Sequence, residues 1–203
     1  MKIERASRAE VPALVDLHAH CLPGSILTAL GEDGLHRYYD MVVGSLREHV
    51  LAALDEDDAV VAGCVLSLEP GSILRRCARG APGAVARELA RGAVTTGEVR
   101  RRLARRGVEA VRGAFRRGDV PAGVPEVTQI FTDPAMRGRG VGAALLGAAE
   151  DVLRARGMRT YCIHTLRDDN DAGIRFYRRE GFTVTGTSTS FGDHYLVMTK
   201  GLS

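Results

Sequence analysis

The residues Ile130-Phe131-Thr132-Asp133-Pro134 lead into Arg137-Gly138-Arg139-Gly140-Val141-Gly142, and the reading of this stretch decides the fold. Glu126 to Thr132 alternates as a strand does, and Asp133-Pro134 ends it. Gly138 to Arg156 then carries Val141, Leu145, Ala148 and Val152 on one helical face, with Gly157 as the stop. Strand, glycine turn and helix start therefore follow one another. The first N–H groups of a helix lack intrahelical partners and carry the positive end of its dipole. Glycines let that backbone approach a pyrophosphate closely, and flanking arginines add charge-assisted bonds to its oxygens. Arg137, Gly138, Arg139, Gly140, Val141 and Gly142 thus form a candidate phosphate site. The alternative is a turn whose glycines serve only its dihedral angles.

Two phosphate-binding folds fit this turn poorly. A P-loop needs Lys followed by Ser or Thr, which is missing here. Gly138, Gly140 and Ala143 match the dinucleotide fingerprint literally, with Asp168 or Asp169 as the ribose candidate. Too few strands follow, however, to complete a doubly wound sheet.

Working outward, Thr160 to Thr165 reads as a strand and Asp171 to Glu180 as a helix stopped by Gly181. Thr183 to Ser190 and His194 to Thr199 read as two strands around Gly192-Asp193. The order strand, helix, strand, helix, strand, strand predicts an α/β unit with a mixed sheet. Toward the N-terminus, Lys2 to Ala6 is a candidate strand, and Ser7 with Glu10 makes a capping box for a helix reaching about His20. Two short helices around a glycine turn are expected between Ile26 and Val43, with breaks near Gly31 and Gly34. His49 to Leu54 and Ala59 to Leu68 form an expected antiparallel pair across Asp55-Glu56-Asp57-Asp58.

With 203 residues, 45% of them hydrophobic and 26% charged, the chain suits a single globular domain and excludes disorder. No apolar run approaches the roughly 20 residues of a membrane span, and the first residues lack a secretory signal, so no membrane partner and a cytoplasmic location are expected. Cys21, Cys64, Cys77 and Cys162 have no metal-ligand spacing, which predicts reduced thiols and no metal. The charge is uneven. From Gly71 to Gly118, thirteen arginines oppose Glu88, Glu98 and Glu109, a balance of +10 that leaves −7 for the rest of a +3 chain. Residues 71–120 are therefore read as an Arg-rich helical insertion within the domain 1–203. It is expected to dock on the acidic remainder of its own chain or of a second subunit in a homodimer, and to attract anionic acceptors.

The Asp133-Pro134 strand end, the Arg137 to Gly142 turn, Asn170, and Ile174-Arg175-Phe176-Tyr177 followed by Gly181-Phe182 together resemble the GCN5-related N-acetyltransferases (GNAT). The resemblance covers about residues 125 to 200 strongly and the order of elements before residue 70 weakly; the Arg-rich stretch is outside it. It implies a mixed central sheet of six to seven strands flanked by helices, with the insertion before the fourth strand. It also implies acetyl-CoA as co-substrate, its pyrophosphate on the backbone of Arg137 to Gly142. The family's bulged fourth strand would direct the N–H groups of Ile130 and Thr132 at the thioester and pantetheine.

Transfer from a thioester to an amine requires a held donor, a deprotonated amine and a proton for the departing thiolate. Tyr177 falls on the family's proton-donating tyrosine, against the plainer reading of a packed helix aromatic. Asn170 would contact CoA or cap the following helix. For the base, Glu126 is placed on the same strand face as Ile130 and Thr132 by alternation, provided that the bulge lies later; it also resembles the glutamate base of some family members. A solvated strand end is the alternative for Glu126, and His164, at the end of a strand, is the rival base. Cys162, two residues before His164, would support an acyl-enzyme only if it faced the thioester. His18, His20, Tyr38, Tyr39 and His194 are candidates for the substrate wall. The resulting expectation is direct acetyl transfer to a primary amine of a small molecule, with anionic acceptors included. The competing class is a non-catalytic acyl-CoA sensor or nucleic-acid binder. Phe115 alone offers a stacking ring among the arginines, which argues against nucleic acid.

Overall fold

Ser7 starts the first helical segment with both halves of the capping box: its Oγ accepts from Ala9 N at 3.1 Å, and the Glu10 carboxylate accepts from Ser7 N at 2.7 Å. In the computed structural model, residues 1–25, 27–73, 76, 123–190 and 193–203 are described. A short 3-10 turn leads from Ser7 into α1 (Val11–Cys21), which buries Val11, Leu14, Val15, Leu17 and His18. Helix α2 (Gly31–Val43) opens on Gly31, which takes φ 78°. The break expected at Gly34 does not occur. Gly34 lies inside α2, where a Cβ would come within 2.6 Å of Leu30 Cβ, so here glycine serves close packing.

Among the described residues seven strands make one sheet, in the order β1-β2-β3-β4-β5-β7-β6. They are β1 (Lys2–Arg5), β2 (Glu48–Leu54), β3 (Val60–Ser67), β4 (Glu126–Thr132), β5 (Thr160–Leu166), β6 (Thr183–Ser190) and β7 (Asp193–Gly201). Among the described residues only β4 and β5 pair in parallel, so the sheet is mixed as expected. Helix α3 (Val141–Arg154) crosses between them, and α4 (Asp171–Arg179) follows β5. Gly157 takes φ 68° past the end of α3, and Met158 N bonds Leu153 O at 3.0 Å, which closes the helix with the glycine stop read from the sequence. The expected helices of residues 71–120 lie outside the described residues, apart from Gly71–Ile73 and Arg76.

Strand alternation divides the core into two layers. Val50, Ala52, Leu54, Val65 and Phe131 pack with α1 and α2, while Leu51, Ala53, Cys64, Leu66, Val127 and Ile163 pack with α3. Polar side chains tie the helices down at named points. Glu150 on α3 is buried and accepts from Tyr161 at 2.7 Å, Lys200 at 2.5 Å and Arg154 at 3.0 Å. Burial works against its charge, yet the bonds from Lys200 and Tyr161 hold its carboxyl below the ordinary range. Among the described residues no helix is long and apolar enough to cross a membrane.

His18 is fully buried between α1, α2 and the sheet. Its Nδ1 is hydrogen bonded to Tyr39 Oη at 2.8 Å and its Nε2 to Ser25 Oγ at 3.0 Å, and its ring meets Phe131 edge-on. Burial lowers its pKa to about 4, so the native state holds it neutral where an unfolded chain would protonate it. The contribution is complete above about pH 6.5 and is lost progressively as the pH falls toward 4, a loss of about 3 kcal/mol. Guanidinium unfolding midpoints should therefore fall across that window. In His18→Gln, less stable at pH 7, the decline should be visibly shallower.

Candidate active site

Strand β4 is decided by one extra residue. The β3–β4 pairing runs Leu66 with Val127 and then Val65 with Gln129, which leaves Thr128 as a bulge whose Oγ1 bonds Val65 O at 3.3 Å. Because neighbouring residues of β3 face opposite sides, the bulge inverts the second half of β4. Glu126, Gln129 and Phe131 face the α1/α2 side, and Val127, Ile130 and Thr132 face α3. The expectation that Glu126 shares a face with Ile130 and Thr132 is corrected here: the bulge comes between them.

The same strand leaves its parallel neighbour early. Pairing with β5 covers Glu126 with Cys162 and Val127 with Ile163, and beyond these the two strands separate. Asp133 N bonds Val61 O at 2.9 Å, toward β3. Backbone donors alternate along a strand, so the N–H groups of Thr132 and Ile130 point the other way, into the opening.

At the root of this opening, Glu126 and His164 meet. Nδ1 of His164 lies 3.0 Å from Glu126 Oε1, and Glu126 is buried rather than a solvated strand end. Residues presented as rival bases are one hydrogen-bonded pair. A carboxylate only accepts, so with Glu126 ionised the imidazole carries its hydrogen on Nδ1 and keeps Nε2 as its basic nitrogen. Cys162 is fully buried next to them, which argues against an exposed acyl-enzyme nucleophile.

Tyr177 lies on the other face. It packs on α4 against Phe176 and Phe182, with ring centroids 5.1 and 5.6 Å away, and burial raises its pKa above the ordinary phenol value. The phenol is packed among these rings and keeps its proton at neutral pH. Asn170 stands at the N-cap of α4 but makes no side-chain cap. Its Nδ2 instead bonds Thr165 Oγ1 at 2.7 Å and Leu166 O at 3.4 Å, tying α4 back to β5. The capping alternative is corrected accordingly.

Gly138 and Gly140 take φ 77° and 79°, where a side chain is strained, and nothing fills the space beside either. Helix α3 has Gly140 as its N-cap and no side-chain cap, so the first-turn N–H groups of Val141 and Gly142 stay available. Arg139 is exposed at this turn. Arg137 is exposed, and its Nε bonds Thr132 O at 3.3 Å, beside Cys21 Sγ, which donates to the same carbonyl at 3.4 Å. It secures the end of β4 to the turn. Gly142 faces Phe176 and Thr132.

Of the wall candidates, His18 and Tyr39 are buried structural partners and Tyr38 is buried with them, while His20 and His194 are exposed. Sequence reasoning missed Glu48, a fully buried carboxylate, and its partner Arg76. The only sequence signal for Glu48 was an acid directly preceding an apolar strand.

Residues 11–182 match the model of the acetyltransferase (GNAT) family. The chain belongs to this family. Acetyl-CoA is the acyl donor of its enzymes. Over 74 residues the chain is 42% identical to the N-alpha-acetyltransferase RimI of Mycobacterium tuberculosis, a stretch covering 36% of this chain and 44% of that one. Over 70 residues it is 36% identical to the mycothiol acetyltransferase of Mycobacteroides abscessus, covering 34% and 23% respectively. It thus spans less than half the length of these curated relatives. The fold is shared with a PaiA N-acetyltransferase from Thermoplasma acidophilum solved with coenzyme A, at TM-score 0.59 and 15% identity over 99% of this chain and 98% of that one.

The glycines of α3 should respond to substitution in opposite senses. A Cβ at Gly142 would lie 3.2 Å from Phe176 Cζ, so Gly142→Val should cost about 1–3 kcal/mol by displacing that ring. Gly147 has nothing within 4 Å, so Gly147→Ala should gain up to about 1 kcal/mol. Denaturation midpoints of the two variants check both signs.

Proposed function

We propose that this protein moves the acetyl group of acetyl-CoA to a primary amine of a small molecule, by direct attack in a ternary complex. The observation that carries this reading is the separation of β4 from β5 immediately past the Glu126–His164 pair. It gives one opening with a base on one face of the sheet and the phenol of Tyr177 on the other.

In this reading the pyrophosphate of acetyl-CoA rests on the backbone of Gly138 to Gly142, with Arg139 supplying charge. Arg137 acts mainly through its hold on Thr132. The thioester enters the opening, where the N–H groups of Ile130 and Thr132 meet the carbonyl and stabilise the oxyanion as it forms. His164 Nε2, oriented by Glu126, takes the proton of the ammonium acceptor. The freed nitrogen attacks, the N–C bond forms, the C–S bond breaks, and the second proton shed by the nitrogen as the amide forms restores the phenol of Tyr177 by way of solvent. Tyr177 gives its proton to the departing thiolate, a role suited to a half-buried phenol that stays protonated. Asn170 supports the β5–α4 corner beside the donor. The +10 balance of residues 71–118 supports an anionic acceptor. The likeness to RimI favours a second acceptor class, the α-amine of a peptide.

The test is thiol release from acetyl-CoA with spermidine, glucosamine and an alanine-initiated pentapeptide as acceptors, joined to calorimetry of acetyl-CoA binding. Saturable release with one of them is expected. Tyr177→Phe should lower kcat about 10²-fold with Kd for acetyl-CoA unchanged. His164→Gln and Glu126→Gln should each lower kcat, and the double variant should be no worse than His164→Gln alone, since the pair acts as a unit. Gly140→Glu should abolish acetyl-CoA binding. Binding without release from any acceptor would favour a sensor over an enzyme, and full turnover in His164→Gln would remove the base.

A further inference from the structure

Four strands carry one polar row. Glu48 on β2 is the register partner of Ser67 on β3, Ser67 is the partner of Glu126 on β4, and Glu126 is the partner of Cys162, two residues before His164 on β5. Glu48, Ser67, Glu126 and His164 therefore share the α1/α2 face of the sheet. Glu48 and Ser67 are both fully buried. Ser67 Oγ donates to Glu48 Oε1 at 3.0 Å. Arg76 reaches the same carboxylate with both terminal nitrogens, Nη1 to Oε2 at 2.8 Å and Nη2 to Oε1. Its Nη1 also donates to Ser45 Oγ at 3.2 Å, and its Nε to Ser72 Oγ at 3.0 Å.

A buried ion pair is seldom a net source of stability, because desolvation of both charges offsets their attraction. What distinguishes this pair is its neighbour. Glu126 lies two strand spacings from Glu48, about 10 Å, and a guanidinium on a flexible stem binds a carboxylate in a bidentate fork that an imidazole cannot match. The Ser67 hydroxyl has a single proton to give, and it gives it to Glu48. Without Glu48, the next carboxylate along the row is Glu126.

We infer that Glu48 is a positioning residue for acetyl transfer: it holds the Arg76 guanidinium and the Ser67 hydroxyl on the β2 side of the row, so that Glu126 stays paired with His164. The kinetic consequence rests on the reading of Glu126–His164 as the base. The structural consequence does not. A carboxylate that keeps a stronger donor away from a weaker one acts through its neighbours and touches no substrate.

The measurement is the Nδ1–H proton resonance of His164 in full-length protein labelled with ¹⁵N-histidine, assigned by its loss in His164→Gln. Glu48→Gln retains an acceptor for Ser67 but removes the carboxylate charge that Arg76 grips. In that variant the resonance should vanish or exchange with water at least about tenfold faster, as expected of a proton that has lost its carboxylate acceptor. Replacing the charge as well, in E48Q/R76M, should restore it. A folded Glu48→Gln with an unchanged resonance, or an E48Q/R76M variant no better than E48Q, overturns the inference. Should E48Q fail to fold, E48Q/R76M and E48Q/R76K ask the same question, and an equal resonance in both overturns it. Turnover in the same series should follow the same order. If the resonance follows that order and turnover does not, the assignment of the base fails and the role of Glu48 stands.

Discussion

Thr128 is the residue on which the arrangement of the site depends. It has no partner in the register of β3, and this single insertion turns over everything after it on β4. Without it, Glu126 would project with Ile130 and Thr132, and Phe131 would leave the α1/α2 core for the α3 side. The backbone turns over with the side chains, which is how the donors of Ile130 and Thr132 come to face away from β3. The opening beside β5 follows from the same distortion, since a strand that bends at a bulge cannot stay parallel to a straight neighbour. One unpaired residue thus sets the separate faces for the carboxylate, the backbone donors and the phenol.

The polar groups around this strand repeat one theme, burial only with full partnership. Glu150 accepts from three side chains, His18 is bonded at both ring nitrogens, and Glu48 has both oxygens engaged. Each group joins elements that hydrophobic contact alone would leave free to slide: α3 to β5 and β7, α1 to α2, and β2 to the segment that follows β3. His49 is the exception among the described residues, with a buried Nε2 that has no partner and a pKa lowered first by burial and then by nearby Arg156 and Arg5.

The order of elements was legible because each boundary carries its own chemistry: the Ser7–Glu10 box, the Asp133-Pro134 stop, and the glycines at 138, 140 and 157. The glycine turn could be read for the same reason, as its conformation is local. The relation of Glu126 to His164 could not. Each was visible as a strand residue with acid–base chemistry, but their pairing depends on the register between β4 and β5, which is set by contacts 38 residues apart in sequence. The face of Glu126 was misread because a bulge leaves no mark in an alternating pattern. Thr128 looks like any other β-branched strand residue. Glu48 was invisible because its significance lies in Arg76, a residue indistinguishable in sequence from the twelve other arginines around it.

The division of β4 into two faces has a bearing on how such a chain can diverge. On the proposed reading, positions facing α3 answer to the donor, whose chemistry is fixed, while Gln129 and its neighbours under α1 and α2 answer to whatever amine is presented. Because the bulge assigns each position to one face, drift on the acceptor side carries no direct steric penalty on the donor side. Only the residues at the root of the opening belong to both. The sheet is in this sense a partition with one slit, and a new acceptor can be accommodated by rebuilding one room.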